Sequence, residues 1–283
     1  LSDTFGVRLA VRASKMFGGY ADNHATPVTF TVTDSAGVAP VQTLTAPAAK
    51  KESPREKEFM GRLTLQWKPT TDITNTLKLS AAFNRTNDGA WNNIVFSCGN
   101  GFSTLQPTVP CKRDWSFYHN QMPTEVAANF PFAKSDGSLY TKYNSYNATN
   151  NFEYRMGDLT FTSVTNFQQQ KNQWLTDSDY QQRTTQIYVG SMEKWRAFSE
   201  EARIQTDFDG PLNVMMGVLY QKSKVIADQN VYSGNARTST ASKRDEYIAF
   251  SKYSTTDGET ISPFAQVSWK IVPQVEVSAG IRY

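Results

Sequence analysis

Cys98 and Cys111 are the only cysteines in 283 residues, and they bracket twelve residues of Gly/Pro-containing polar chain, GNGFSTLQPTVP. A local disulfide formed in an oxidising compartment is favoured over two unrelated thiols. A metal site ranks behind both: there are two histidines, His24 and His119, and no cluster with ligand spacing. Neither a metal nor a cofactor is expected. Around the cysteine pair stand Trp91, Trp115, Phe117, Tyr118 and His119, with Lys112 and Arg113 beside them. Aromatic faces next to a cation stack on, and pair with, an anionic ligand. Trp91, Arg113, Trp115, Phe117, Tyr118 and His119 are therefore the candidate ligand contacts. The plainer alternative, that these side chains pack the loop onto itself or onto a membrane surface, explains the same residues.

Catalytic arrangements are missing where they are easiest to see. There is no Gly-x-Ser-x-Gly elbow, no phosphate-binding Gly loop and no zinc spacing. Glu200 and Glu201 are adjacent, so on a strand they face opposite sides and cannot work as a carboxylate pair. Asp177 and Asp179 fall in a polar stretch where solvation is the expected role. No enzyme is expected. The formal net charge of +3 without a dense Lys/Arg block gives no footprint for nucleic acid.

The elements that carry these residues alternate with a period of two. In FSEEARIQTDFDGPLNVMMGVLYQ, residues 198–221, Ala202, Ile204 and Thr206 share one face and Glu201, Arg203 and Gln205 the other. After Asp209-Gly210-Pro211, Leu212, Val214, Met216, Val218 and Tyr220 align again, which is a hairpin. The same grammar predicts strands over 3–17, 58–68, 76–87, 148–156, 159–172, 193–225 (as the hairpin), 261–271 and 275–283, nine in all. Long polar connections (18–57, 88–147, 173–192, 226–260) alternate with short turns (69–75, 157–158, 209–211, 272–274). A meander places all the short turns at one end and all the long loops at the other. That asymmetry belongs to transmembrane β-barrels, with short periplasmic turns and long extracellular loops, whereas soluble domains rarely tolerate long structureless loops.

Aromatic residues repeat the message. Trp67, Phe208 and Trp269 sit beside short turns, while Phe167, Tyr220 and Tyr283 each follow the first apolar residue of their strand by eight positions. Eight residues span roughly 20 Å of height at a ~40° tilt, close to the spacing of the two girdles of a membrane barrel. The apolar face is therefore expected to meet outer-membrane lipid. The other face carries Arg8, Arg12, Arg62, Lys78, Glu153, Arg155, Glu201, Arg203, Glu276 and Arg282, too many charges for a sandwich core, and is expected to line a lumen.

FSEEARIQTDFDGPLNVMMGVLYQ and PFAQVSWKIVPQVEVSAGIRY (263–283), with weaker echoes at 1–20 and 61–86, resemble the barrel of TonB-dependent outer-membrane receptors. The resemblance implies an all-β, antiparallel up-and-down barrel of about 22 strands, filled by an N-terminal plug. It also implies active uptake of a scarce ligand, powered through the TonB complex. No plug, TonB-contacting box or terminal strand is found in this segment. Residues 1–283 are therefore expected to be an internal, roughly nine-strand portion of one barrel domain. Ferric siderophore, haem, cobalamin and oligosaccharide all remain as ligands, with siderophore favoured by family frequency. A passive porin-type channel and a secreted β-rich adhesin or enzyme stay as alternatives.

Overall fold

In a computed structural model, which describes residues 2–88, 97–107, 109–238 and 242–283, the chain is almost entirely β. It begins with β1 (Phe5–Lys15), β2 (Ala21–Asn23), β3 (Val28–Thr33), β4 (Pro40–Ala46), β5 (Glu52–Ser53), β6 (Glu56–Trp67) and β7 (Ile73–Asn87). After β8 (Ser116–Phe117) and one helical turn, α1 (Thr124–Ala127), come β9 (Tyr140–Met156), β10 (Leu159–Asp177) and β11 (Ile187–Thr206). β12 (Leu212–Ser233), β13 (Phe250–Val272) and β14 (Val275–Arg282) complete it. Nine of these form one antiparallel sheet in the order β1-β6-β7-β9-β10-β11-β12-β13-β14.

The strand count agrees with the alternation pattern, but the strand ends do not. β10 continues to Asp177, β11 starts at Ile187, β12 reaches Ser233 and β13 starts at Phe250. Much of what reads as polar loop in 173–192 and 226–260 is therefore ladder. Amphipathic alternation marks only the part of a strand whose two faces meet different media. Beyond that part the backbone still pairs, because its N–H and C=O groups need partners, and the pattern goes silent.

The registers reveal a tilt. Trp67, beside the first short turn, lies in one cross-strand row with Asn75, Phe152, Ser163, Ala202, Val218 and Pro263. The matching tryptophan beside the last short turn is Trp269, six residues from Pro263 and six strands from Trp67. One residue of climb per strand, about 3.3 Å against a strand spacing of about 4.8 Å, is a tilt of about 35°, the inclination of strands in a barrel wall. Around Gly217, on β11–β13, the mixed-polarity face is the concave one. A Cβ on Gly217 would come within 2.8 Å of the Arg203 Cβ and 2.5 Å of the Phe264 ring, so side chains converge there. Glycine at 217 leaves room for this close approach.

On the opposite face the rows run Phe5-Trp67, Val7-Leu65-Leu77, Leu9-Leu63-Leu79, and Met216-Ala265-Ile281. Many of these side chains are exposed, among them Leu9, Met216 and Ile281. A single sheet has no interior of its own. The buried apolar core instead lies in the loops: Phe30, Val32, Leu44 and Ala46 of the β3–β4 hairpin pack with Met122, Val126 and Phe130. The floor of this core is Tyr140, Leu175, Tyr188 and Tyr232 on the far ends of the long strands. Leu175 faces Gly190 and Asp177 faces Tyr188 across an unbroken register, so this floor is the same face that carries the apolar rows nearer the turns. At Gly190 a Cβ would sit 2.6 Å from the Pro131 carbonyl oxygen; the missing side chain is what allows the loop to lie on the strand. Residues 18–57, expected to be structureless, thus contribute Phe30, Val32, Leu44 and Ala46 to a packed layer.

Candidate functional site

Cys98 and Cys111 are joined, with Cα atoms 5.8 Å apart. Immediately after Cys111, Lys112 pairs with Asp114 at 3.2 Å, and the Ser116 N–H donates to the Asp114 carboxylate at 2.9 Å. The Ser116 amide and Lys112 together hold the Asp114 pKa below its ordinary value. This turn delivers the short strand β8, which pairs in parallel with β2. One side of the turn opens on a cavity of about 190 Å³, lined among others by His24, Lys112, Phe117, Tyr118, Tyr180 and Gln181.

Behind the cavity wall lies a buried charged cluster. His119 is 4% exposed, its ring 4.9 Å from Phe117 and 6.0 Å from Tyr180. Its Nδ1 is 2.7 Å from Asp88 Oδ2. Burial alone pushes the imidazole pKa down, but the Asp88 carboxylate, with Asp177 and Asp179 behind it, outweighs burial and holds it above its ordinary value. His119 Nε2 is buried without a partner among the described residues, an arrangement that costs free energy and that native structures keep for a reason. Asp177, nearly inaccessible, is pushed well up by burial and by Asp179, against the pull of His119. Asp179, also raised by burial, lies 3.5 Å from Arg183.

The cluster ties three loops together. The Asn23 side chain donates to the His119 carbonyl at 2.9 Å and accepts the His119 N–H at 3.0 Å. The Asn120 N–H donates to Asp177 at 2.8 Å, and its side chain donates to the Thr26 carbonyl at 2.8 Å. Tyr180, on the cavity wall, holds a left-handed backbone at φ 56°, a conformation that costs a non-glycine residue about 1–3 kcal/mol and collects at ligand clamps.

Of the residues singled out from sequence, Phe117 and Tyr118 line the cavity beside Cys111, and His119 stands directly behind them. Trp115 turns away and packs edge-on against Tyr20 at 5.3 Å; Arg113 is exposed and outside the lining. Trp91 lies outside the described residues. Asp177 and Asp179 are corrected: they are buried and structural rather than solvated. His24, Tyr180 and Asp88 join the site from positions far apart in sequence, so only chain folding brings them in. The geometry suits binding. Among the described residues no group of His, Cys, Asp and Glu is placed to hold a metal ion.

Neither a family model nor a curated protein matches the chain. Among solved structures it is similar to the ferric yersiniabactin uptake receptor FyuA from Yersinia pestis, at 14% identity and a TM-score of 0.58, covering 98% of this chain and 33% of that one. It is also similar to the RagAB peptide importer in its "open-open" state, at 11% identity and a TM-score of 0.51, covering 85% of this chain and 28% of that one. The chain thus spans about a third of the length of either. At these identities the likeness is one of fold: an antiparallel sheet with the wall architecture of an outer-membrane barrel.

Proposed function

We propose that this chain is part of the wall and outer loops of an outer-membrane transporter that actively takes up a scarce ligand. The observation that carries the reading is the uniform height of the apolar band. The midpoint of each hairpin register marks its turn: residue 71 for β6–β7 (Trp67 opposite Asn75), 210 for β11–β12 (Ile204 opposite Met216) and 273 for β13–β14 (Trp269 opposite Val277). On the apolar face Lys57, Arg85, Arg196, Lys224 and Glu259 each lie 14 residues from those midpoints. Between about 2 and 12 residues the face is apolar or aromatic with few exceptions. At a 35° tilt that interval is ~27 Å, the height of a bilayer's hydrocarbon layer and its girdles.

An upper aromatic belt supports the same reading. Phe59, Phe83 and Tyr146 stack in series at 6.3 and 5.6 Å, twelve residues from the turn for the first two. The concave face carries charge in pairs, Arg203–Glu201 at 2.9 Å and Arg155–Glu153 at 3.2 Å, as a hydrated lumen permits. Glu200 and Lys222 are the charged exceptions on the lipid side; the Ser163 and Thr165 hydroxyls donate to the Glu200 carboxylate at 2.6 and 2.5 Å, and Lys222 lies opposite Phe198 at the upper edge of the band. On this reading the chain contributes no catalytic step. Energy comes from the TonB complex through a plug encoded outside these residues, and the cavity beside the disulfide makes the first ligand contacts.

A ferric siderophore is the favoured ligand class; one similar structure is an uptake receptor for a ferric chelate and another imports peptides. A passive channel shares every feature of the band. The two separate in a strain lacking the protein, screened on ferric siderophores, haem, cobalamin, oligosaccharides and peptides with TonB present or absent. Loss of growth on one nutrient class in both the deletion strain and the TonB-deficient strain supports active uptake. Unchanged uptake without TonB assigns a passive channel. A parent protein that is monodisperse in buffer without detergent overturns the membrane reading.

A further inference from the structure

On the apolar face, the first charges above the upper aromatic belt are nearly all cations. Lys15 faces Lys57, Lys57 faces Arg85, and Arg85 faces Lys142, so four cations stand in one row on four adjacent strands. Lys171 faces Lys194, and Arg196 faces Lys224. Like charges directly opposite one another destabilise a sheet, and here the arrangement repeats from β1 to β12. The carboxylates this face carries near that height are Asp228 on β12, in row with Lys142 through Gln173 and Met192, and Asp257 and Glu259 on β13; the Asp228 carboxylate accepts from the Asn230 side chain at 2.9 Å. Asp257 pairs with Lys224 at 3.5 Å, and Glu259 accepts from the Tyr220 hydroxyl at 3.0 Å. None of Lys15, Lys57, Lys142, Lys171, Lys194 and Arg196 forms an ion pair among the described residues. Lys15, Lys57, Lys142, Lys171 and Arg196 are exposed. The collar therefore lies between the lipid band below and the loop layer above, with its counter-charge still to be supplied.

We propose that this collar binds the phosphate-bearing head groups of the lipids in the surrounding outer leaflet. Charge complementarity selects an anion. Continuity with the apolar band selects one that arrives attached to an acyl chain, because a phosphate placed directly above the belt can keep its tails against Phe59, Phe83 and Phe198. The proposal rests on the membrane reading, and its test separates the two.

The full-length protein, folded in nanodiscs of phosphatidylcholine, is mixed with nanodiscs containing phosphatidylglycerol or a phosphorylated lipid A, and lipids retained at the wall are counted by native mass spectrometry. The wild type is expected to enrich the phosphorylated lipids over phosphatidylcholine. Each cation near an anionic surface is worth about fivefold, so Lys57→Gln/Lys142→Gln/Lys171→Gln/Arg196→Gln should lose at least ~30-fold of that preference after screening. The same variant should fold normally in phosphatidylcholine. No enrichment by the wild type, full enrichment by the variant, or equal competition by soluble inorganic phosphate at matched phosphate concentration overturns the proposal. A wild type that inserts into none of the nanodiscs instead sinks the membrane reading beneath it.

Discussion

Met215 and Met216 are neighbours that meet different surroundings. Met216 pairs with Ile204 and Ala265 on the apolar face and is 53% exposed; Met215 pairs with Gln205 and Gln266 on the concave face. Met216 lies six residues from its turn midpoint, near the middle of the band. Met216→Arg is expected to cost roughly 2–4 kcal/mol, the penalty for a cation at mid-bilayer, and Met215→Arg much less. Heat-modifiable gel migration of the full-length protein measures both; a more damaging Met215→Arg would put the register one residue out. His119 has its own signature. Its pKa is raised in the folded state, so its contribution is complete below about 6.5, the unfolded value, and fades as pH rises through the folded one. Asp177 and Asp179, also raised, bind protons more tightly when folded and add to the same trend from the carboxylate range upward. Exchange protection of the Asn120 amide, which donates to Asp177, should therefore fall between pH 6 and 9 after correction for intrinsic rates, and His119→Gln should flatten the slope. Protection that grows with pH contradicts the assignment.

At the scale of elements, the loops and the ladder are held by different forces. The sheet stands on continuous backbone pairing, while the loop layer stands on a conventional apolar core with Val32, Val126 and Leu175 fully buried. The Cys98–Cys111 bond closes a loop of 13 residues' separation, worth about 3 kcal/mol by chain entropy, and that stabilisation falls on the loop layer. Reduction is expected to expose the segment around residues 98–118 to protease and to weaken ligand retention, with gel migration of the folded barrel unchanged. Simultaneous loss of the barrel on reduction would show that ladder and loops fold as one unit. The β3–β4 hairpin was legible after the fact: Val28, Phe30 and Val32 alternate, Asp34 to Gly37 turns, and Leu44 and Ala46 alternate again. Its strands of six and seven residues are short and surrounded by threonines that suit either face, which is why it reads as polar loop.

For the whole molecule, the alternation of short turns and long connections makes a sidedness that can be measured. Asp209 lies exposed in a short turn and Ser35 exposed at the tip of the β3–β4 hairpin. A cysteine at Ser35 should react with an impermeant thiol reagent on intact cells, and one at Asp209 should stay protected until the outer membrane is breached. Equal labelling would reverse or abolish the proposed orientation.

The period-two pattern by itself determined the number of sheet strands, their faces and the concave charges, because one side of each strand carries apolar residues and the other polar ones. The spacing of CGNGFSTLQPTVPC pointed to its bridge for a local reason, the shortness of the loop. Strand length, the tilt and the layer of core over the strand ends were decided only by tertiary structure. Just above the band both faces of a strand carry polar side chains, so residues such as Lys171, Lys194 and Lys224 carry no alternating signal. Their common height emerges only when cross-strand registers align them. Likewise Asp88, His119 and Asp177 are separated by 31 and 58 residues, and their coupled charges exist only because the loops burying them pack together on one end of the sheet.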